Sequence, residues 1–414
     1  MMTRELLKKI DCECGTPFYI FHREKFIDNI ENFKGALKKY YDNIILAYSF
    51  KTNYTAPLLT EVKDLGCFAE TVSGFEYDMA VKLGFAFNKI IFNGPIKTYS
   101  EIKTAILNGS ILNIDSEYEI EDISKIRKEF PNVDICVGLR INMEIDTDNG
   151  SSAIVGGLKE SRFGMTENTL SLVIPRLQEL DVKIISLHGH TSSTNRIAEN
   201  YRIISRKLLE VQSKYNLNDI KYFNVGGAFF GAAPECLDVS SKPTYIDYAE
   251  AITSTFLEND WFKSNEPYIV IEPGASVVSN VFDLATKIYQ KKTIKNMNMV
   301  FVDASIFMIK SIRSMVNYPT EIYSINSKES KIKANIVGST CMEVDIISKD
   351  VELEHYSYGD YIIVRGVGAY RNNRLPFFIN SRPPIVELMG EGKYQILRNR
   401  QTAEDMLISL NYIR

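Results

Sequence analysis

Short apolar runs of strand length recur along the first two-thirds of the chain, separated by longer stretches with helical periodicity. They lie at 44–51 (IILAYSFK), 67–73 (CFAETVS), 90–94 (IIFNG), 111–116 (ILNIDS) and 134–142 (DICVGLRIN), then at 183–190 (KIISLHGH), 222–227 (YFNVGG) and 268–274 (YIVIEPG). The first five begin 21 to 23 residues apart, the length of one strand plus one crossover helix. One intervening helix has a marked start: Ser73 and Glu76 form an S-x-x-E capping box ahead of the apolar face of 77–83 (YDMAVKL). Eight β-then-α units predict a (β/α)8 TIM barrel. A doubly wound parallel sheet is the alternative, although such sheets more often have about five to seven strands.

Beyond residue 275 the pattern changes. FDLATKIYQKKTI, NMVFVDASIF, ANIVGSTCMEVDII, DYIIVRGVGAY and PPIVELM read as strands with few helices between them. They predict a second, mostly antiparallel β domain, a barrel or sandwich. The run at 18–21 (FYIF) precedes the first barrel unit and is placed to add a strand to it. The expected boundaries are a barrel over 25–274 and a β domain over 1–24 and 275–414. The segment 144–160 (EIDTDNGSSAIVGGLKE), rich in Gly, Ser and Asp, reads as a mobile lid.

Composition narrows the classes. With 45% hydrophobic and 24% charged residues, the 414-residue chain has the make-up of a soluble globular protein. No apolar run reaches the ~18 residues of a membrane helix, and the start lacks a signal-peptide apolar region, so a cytoplasmic protein is expected. The net charge of −4 argues against a nucleic-acid partner. Six cysteines are too sparse for a disulfide framework. Cys12 and Cys14 form a C-x-C without a second pair, so no metal site is expected.

In a βα barrel, chemistry sits at the C-terminal ends of the strands. Those ends carry Lys51, Glu70 with Ser73, Asn93, Asp115, Arg140, His190, Gly226 with Gly227, and Glu272. Each alone has a plain structural reading: a solvated lysine, a tight glycine turn, a Glu-Pro-Gly bend. Together they are more polar than packing requires. A lysine ending an apolar strand is depressed in pKa by burial, which favours the nucleophilic amine. The glycine-rich turn in 224–231 (NVGGAFFG) follows the seventh unit, where this architecture usually binds phosphate. His190 is placed to stack on a flat ring and Glu272 to pair with a ring nitrogen. Lysine, phosphate cradle, ring partner and carboxylate describe a site for pyridoxal 5'-phosphate.

The chain resembles the fold-type III (alanine racemase-like) pyridoxal-phosphate enzymes, specifically the diaminopimelate/ornithine/arginine decarboxylase group. Residues 15–21 (GTPFYIF) are similar to the family's opening strand, and 47–53 (AYSFKTN) to its Tyr-Ala-x-Lys-x-Asn motif. Residues 70–76 (ETVSGFE) resemble D-x-x-S-x-x-E, 156–164 (GGLKESRFG) T-G-x-x-x-S-K-F-G, and 187–193 (LHGHTSS) L-H-x-H-x-G-S. The E-P-G signature stands at 272–274, and 337–345 (VGSTCMEVD) resembles G-P-x-C-x-x-x-D. GAY at 368–370 and NSRP at 380–383 complete the series.

The resemblance implies roles. Lys51 would carry the cofactor, His190 would stack on its ring, and Glu272 would hold the ring nitrogen protonated. Ser193, the Gly226–Gly227 turn and Tyr370 would bind the phosphate. Arg140 and Glu70 would pair behind the ring. Cys341 would return a proton to Cα after carbon dioxide leaves, acting across a homodimer in the partner's site; the alternative reading of Cys341 is a buried small hydrophobe. The expected partners are an amino-acid substrate and a second copy of the chain.

Three departures bear on substrate. Ala275 stands where the family has an arginine after E-P-G. Met342 stands where an acidic residue usually receives the distal ammonium of a diamino acid, leaving Glu343 and Asp345 nearby. The histidine motif ends in Ser192-Ser193 instead of a glycine–serine pair. Arg313 lies two residues from the family's substrate-reading arginine. The reading is therefore a decarboxylase with an atypical amino-acid substrate. Decarboxylation of ordinary diaminopimelate or ornithine, an amino-acid racemase of the same fold and a non-catalytic regulatory homologue are the alternatives.

Overall fold

The computed structural model describes residues 2–143, 145, 160–191, 196–233, 240–310, 314, 316–324, 331–353, 356–374 and 378–412. The lid expected over 144–160 falls outside these residues, save Ile145 and Glu160. The chain forms two compact units: Met1–Phe26, Ala232–Val239 and Val277–Arg414 make one, and Ile27–Gly231 with Ser240–Ser276 make the other.

After a first strand, β1 (Phe18–Phe21), the chain lays down β2 (Ile44–Ser49), β3 (Phe68–Thr71), β4 (Ile90–Phe92) and β5 (Ile111–Ile114). β6 (Ile135–Ile141), β7 (Val182–Gly189), β8 (Tyr222–Asn224) and β9 (Tyr268–Ile271) follow. Strands β2 to β9 are all parallel and close into a barrel, β2 pairing with β9 through Ile44↔Ile269 and Leu46↔Ile271. The eight predicted runs are the eight staves, and closure excludes the doubly wound sheet. Inside, Ile45, Ala47, Ile91, Ile111 and Val270 pack together, each isoleucine or valine contributing roughly 1.5–3 kcal/mol when fully buried. Gly138 on β6 makes room for an inward polar group: a Cβ there would fall 1.9 Å from the Asn113 Oδ1.

The helix Gly74–Lys82 starts as predicted, with Ser73 Oγ accepting the Glu76 N–H. The reciprocal half of the box differs: the Glu76 carboxylate takes the N–H of Val72, at 2.9 Å, not that of Ser73. Val72 lies just past β3, where the strand ladder has ended. A second anchor lies between β4 and β5. Lys97 and Glu119 form a fully buried ion pair at 2.9 Å, Lys97 also donating to Gly94 O at 2.6 Å. Glu119 accepts the N–H groups of Asp115 and Ser116.

In the other unit a nine-stranded, mostly antiparallel sheet is built around β10 (Phe282–Ile294). It adds β11 (Met297–Val302), β12 (Thr320–Tyr323), β13 (Ile332–Val337), β14 (Ile346–Leu353), β15 (Tyr361–Val364), β16 (Ile385–Leu388) and β17 (Tyr394–Arg398). β1 joins it as expected, antiparallel to β10 and parallel to β16. The helix Arg4–Cys14 buries Leu6, Leu7 and Ile10 against Phe18, Ile20, Ala285, Ile363 and Val386. Among the described residues no helix is long and apolar enough to cross a membrane.

Candidate active site

In six of the eight staves the strand ends just before the polar residue singled out by sequence, and Glu70 and Arg140 are the next-to-last residues of β3 and β6, so these side chains stand at the C-terminal rim. β2 ends at Ser49 and a single 3-10 turn, Phe50–Thr52, anchors itself by burying Phe50 and Thr52. Lys51 between them projects its Nζ to Glu70 at the end of β3 in a short ion pair, and to Ser49 Oγ at 3.4 Å. The other Glu70 oxygen accepts from Asn93 Nδ2 at 3.0 Å, and the same amide donates to Glu272 Oε1 at 2.8 Å. Asn113 on β5 donates to Asn93 Oδ1 and fixes that amide's orientation. Asn224, ending β8, donates to Glu272 Oε1 at 2.6 Å.

Glu272 is thereby held ionised in a buried setting. Burial by itself would raise its pKa; the His188 imidazole, 3.4 Å from Oε2, with Lys51 and the Asn224 amide, pulls it well below the usual carboxylate range. His190 is the reverse case. Burial first and the Arg140 charge second push its pKa down to about 3, so the ring is neutral and its Nδ1 accepts the Gly227 N–H at 3.0 Å.

Arg140 does not meet Glu70. It donates to Asp115 Oδ1 at 3.1 Å and lies over the Phe163 ring at 4.6 Å. The β5–β6 register pairs Ile114 with Leu139, which puts Asp115 beside Arg140. Glu70 is three strands away, roughly 14 Å at sheet spacing, and is engaged by Lys51 and Asn93.

The glycine turn also differs in detail from expectation. Gly226 has φ +71°, and a Cβ on Gly227 would come 2.3 Å from the Glu272 carbonyl oxygen, so neither position accepts a side chain. Their N–H groups are already taken, Gly226 by Asn224 Oδ1 and Gly227 by His190. The turn is held from behind by the Tyr201 hydroxyl, which donates to Gly227 O at 2.7 Å. Among the described residues, the next two N–H groups, of Ala228 and Phe229, make no hydrogen bond. Ala228 has φ +67°, the left-handed backbone that turns successive N–H groups into an anion-binding concavity. Ser276, whose carbonyl packs on Gly231, has a buried hydroxyl without a hydrogen-bond partner among the described residues, as does Thr52. Unsatisfied donors around a strained turn, a neutral imidazole and an ionised buried carboxylate fit the phosphate and protonated pyridine of pyridoxal phosphate.

The remaining expected residues belong to the sheet unit. Cys341 is exposed at the tip of a tight loop. Asp345 is engaged within that loop: Oδ2 accepts the Thr340 N–H and hydroxyl, and Oδ1 accepts the Ile306 N–H at 2.7 Å. Its carboxylate is thus closed to a substrate ammonium, which corrects the substrate contact expected of it; Glu343 is exposed. Tyr370 sits at φ +61° with Arg374 stacked on its ring. Ser193 and Arg313 lie outside the described residues.

Sequence reasoning missed His188 as the neighbour of Glu272, Asp115 as the partner of Arg140, and Tyr201. The first two had a signal: His188 precedes His190 by two residues, and Asp115 had been placed on the rim.

Comparison with known proteins bears on the same residues. Residues 25–279 match the family described as pyridoxal-dependent decarboxylase, pyridoxal binding domain. The chain is 29% identical over 398 residues to diaminopimelate decarboxylase of Helicobacter pylori, covering 94% of each. It is 28% identical over 417 residues to the L-glutamyl-[BtrI acyl-carrier protein] decarboxylase of Niallia circulans, covering 95% of this chain and 93% of that one. The crystal structure of diaminopimelate decarboxylase from M. jannaschii in complex with L-lysine superposes with a TM-score of 0.84 at 25% identity, covering 97% and 93% of the two chains.

Proposed function

This chain belongs to the pyridoxal-dependent decarboxylases, and on that footing we propose which residues do the work and that the substrate is an amino acid other than meso-diaminopimelate. The observation that carries the residue assignment is the chain Lys51–Glu70–Asn93–Glu272, which links the amine to a buried ionised carboxylate. Pyridoxal phosphate, when bound, supplies an aldehyde for amines and a ring that takes up the electron pair left at Cα when carbon dioxide departs.

The geometry supports the following contributions from the protein itself. Glu70 Oε2 is placed to take the proton from Lys51 Nζ, which must be neutral to act as a nucleophile. Glu272 keeps a proton on the ring nitrogen, because an anion fixed by two amides in a dry site strongly favours the protonated pyridine. His190, neutral, provides a flat wall without adding charge. The N–H groups of Ala228 and Phe229 and the Ser276 hydroxyl receive the phosphate, with Ser193 and Tyr370 joining them by resemblance. Arg140, clamped by Asp115, would stand near the ring by resemblance to the family. Cys341 returns a proton to Cα in the partner's site, which requires a homodimer; its exposed loop-tip position and the rigid Asp345 scaffold beneath it support that reading.

Ala275, Met342 and the engaged Asp345 carry the substrate reading: two positions where the family recognises charge are replaced, and the Asp345 carboxylate is occupied within its own loop. An aminoacyl group borne by a carrier protein, as in the name of the Niallia circulans relative, meets the same description. The test is a panel of free amino acids, including meso-diaminopimelate, ornithine and arginine, plus a carrier-bound glutamyl group, with carbon dioxide release measured. Turnover of meso-diaminopimelate at an ordinary enzymatic rate would contradict the substrate proposal. Run in deuterated water, the active substrate should yield an amine with one deuterium at Cα; a racemase would return an amino acid with its carboxylate intact.

A further inference from the structure

A phosphate monoester carries about −1.5 to −2 charges at neutral pH, and neutral N–H donors alone do not compensate a dianion removed from water. Position 275 offers only the methyl group of alanine. Among the rim cations, Lys51 is paired with Glu70 and Arg140 with Asp115. Two other cations border the phosphate turn. The Arg196 guanidinium lies 5.2 Å from the centre of the Phe230 ring and Lys242 Nζ lies 5.5 Å from the same ring. Phe230 directly follows Phe229, whose N–H is one of the unsatisfied donors.

Arg196 is tied to that turn through one hydroxyl. Tyr248 Oη donates to the Arg196 carbonyl at 2.6 Å and accepts the Phe230 N–H at 3.1 Å. Arg196 itself is held at φ +45°, a conformation a non-glycine residue keeps only where its surroundings fix it. The aromatic face beneath the guanidinium adds a cation–π attraction that limits where the head can go. Its charge also reaches the turn: it opposes the effect of burial on the hydroxyl of Tyr201, the residue that holds Gly227.

We propose that Arg196, backed by Lys242, supplies the positive charge for the cofactor's phosphate in place of the arginine absent at position 275. The proposal rests on reading 226–231 as the phosphate cradle, and it makes Arg196 a cofactor-binding residue specific to the phosphate end.

The test compares the apoprotein's affinity for pyridoxal phosphate with that for pyridoxal, which lacks the phosphate, by spectroscopic titration. Arg196→Ala should weaken pyridoxal phosphate binding roughly 10- to 100-fold and leave pyridoxal binding within about threefold. Arg196→Lys should retain most of the affinity, Lys242→Ala should lose a few-fold, and Ala275→Arg placed in the Arg196→Ala background should restore at least part of the loss. Equal losses for both ligands, or none for either, would overturn the proposal. Ser276→Ala separates it from its premise: if that variant discriminates between the ligands while Arg196→Ala does not, the cradle stands and the charge assignment falls. If neither variant discriminates, both fall.

Discussion

Burial shifts Glu76 and His190 in opposite senses. Burial first, with the neighbouring Glu70 charge adding to it, raises Glu76 to about 7 against the opposing Val72 N–H and Lys51. A carboxyl group with a raised folded-state pKa contributes stability that is fully present below its ordinary value of 4.5 and lost as pH rises through about 7. His190 runs the other way: its folded pKa of about 3 favours the folded state above pH 6.5 and withdraws that support as pH falls toward 3. Glu76→Gln keeps an acceptor for the Val72 N–H and removes the first effect. The variant is expected to gain on the order of 3 kcal/mol over the parent at pH 8, and little at pH 4.5. Urea denaturation at the two pH values checks this; equal differences at both would contradict it. The residues that sequence alone exposed were those ending strands, because a lysine or glutamate after an apolar run has no packing reason to be there. Partnerships were harder: Arg140–Asp115 depends on which strands are neighbours, and Glu272–His188 on which way each side chain turns into the barrel.

At the scale of elements, the rim is braced where the loops after β4 and β5 are tied to each other. Lys97 and Glu119 bond each other and three backbone groups between them, Gly94 O and the N–H groups of Asp115 and Ser116, so the loop bearing Asp115 is held independently of Arg140. Removing one partner strands a buried charge. Lys97→Met is expected to destabilise the protein by about 3–5 kcal/mol, whereas Lys97→Met combined with Glu119→Gln should recover much of that loss. Thermal or urea unfolding of the cycle decides it, and additive losses would contradict the coupling. Neither residue was singled out from sequence, since a lysine and a glutamate 22 positions apart carry no periodic signal. The strands were legible by contrast, because eight apolar runs at crossover spacing admit few arrangements. The Ser73 box was half legible: the serine caps its helix, but the glutamate went to an N–H left over from β3.

At the scale of the molecule, barrel and β-rich unit were both readable, the first from period and the second from the loss of it near residue 275. The sheet order was not, because β1 comes from the start of the chain and pairs with β10 and β16, a contact of high sequence separation. The homodimer reading makes a quantitative prediction. Lys51→Ala and Cys341→Ala variants should each be inactive alone. Mixed under conditions that exchange subunits, half of the dimers are mixed and each has one intact site, so activity should recover to about a quarter of the parent level. Recovery that fails although mixed dimers form would contradict sites shared between subunits.

The account stands on Lys51. The most direct measurement is borohydride reduction of the protein loaded with pyridoxal phosphate, followed by peptide mapping. The expected result is a phosphopyridoxyl group on Lys51 alone, absent from Lys51→Ala. Labelling of another lysine with Lys51 unmodified, or no stable label on the parent protein, would contradict it.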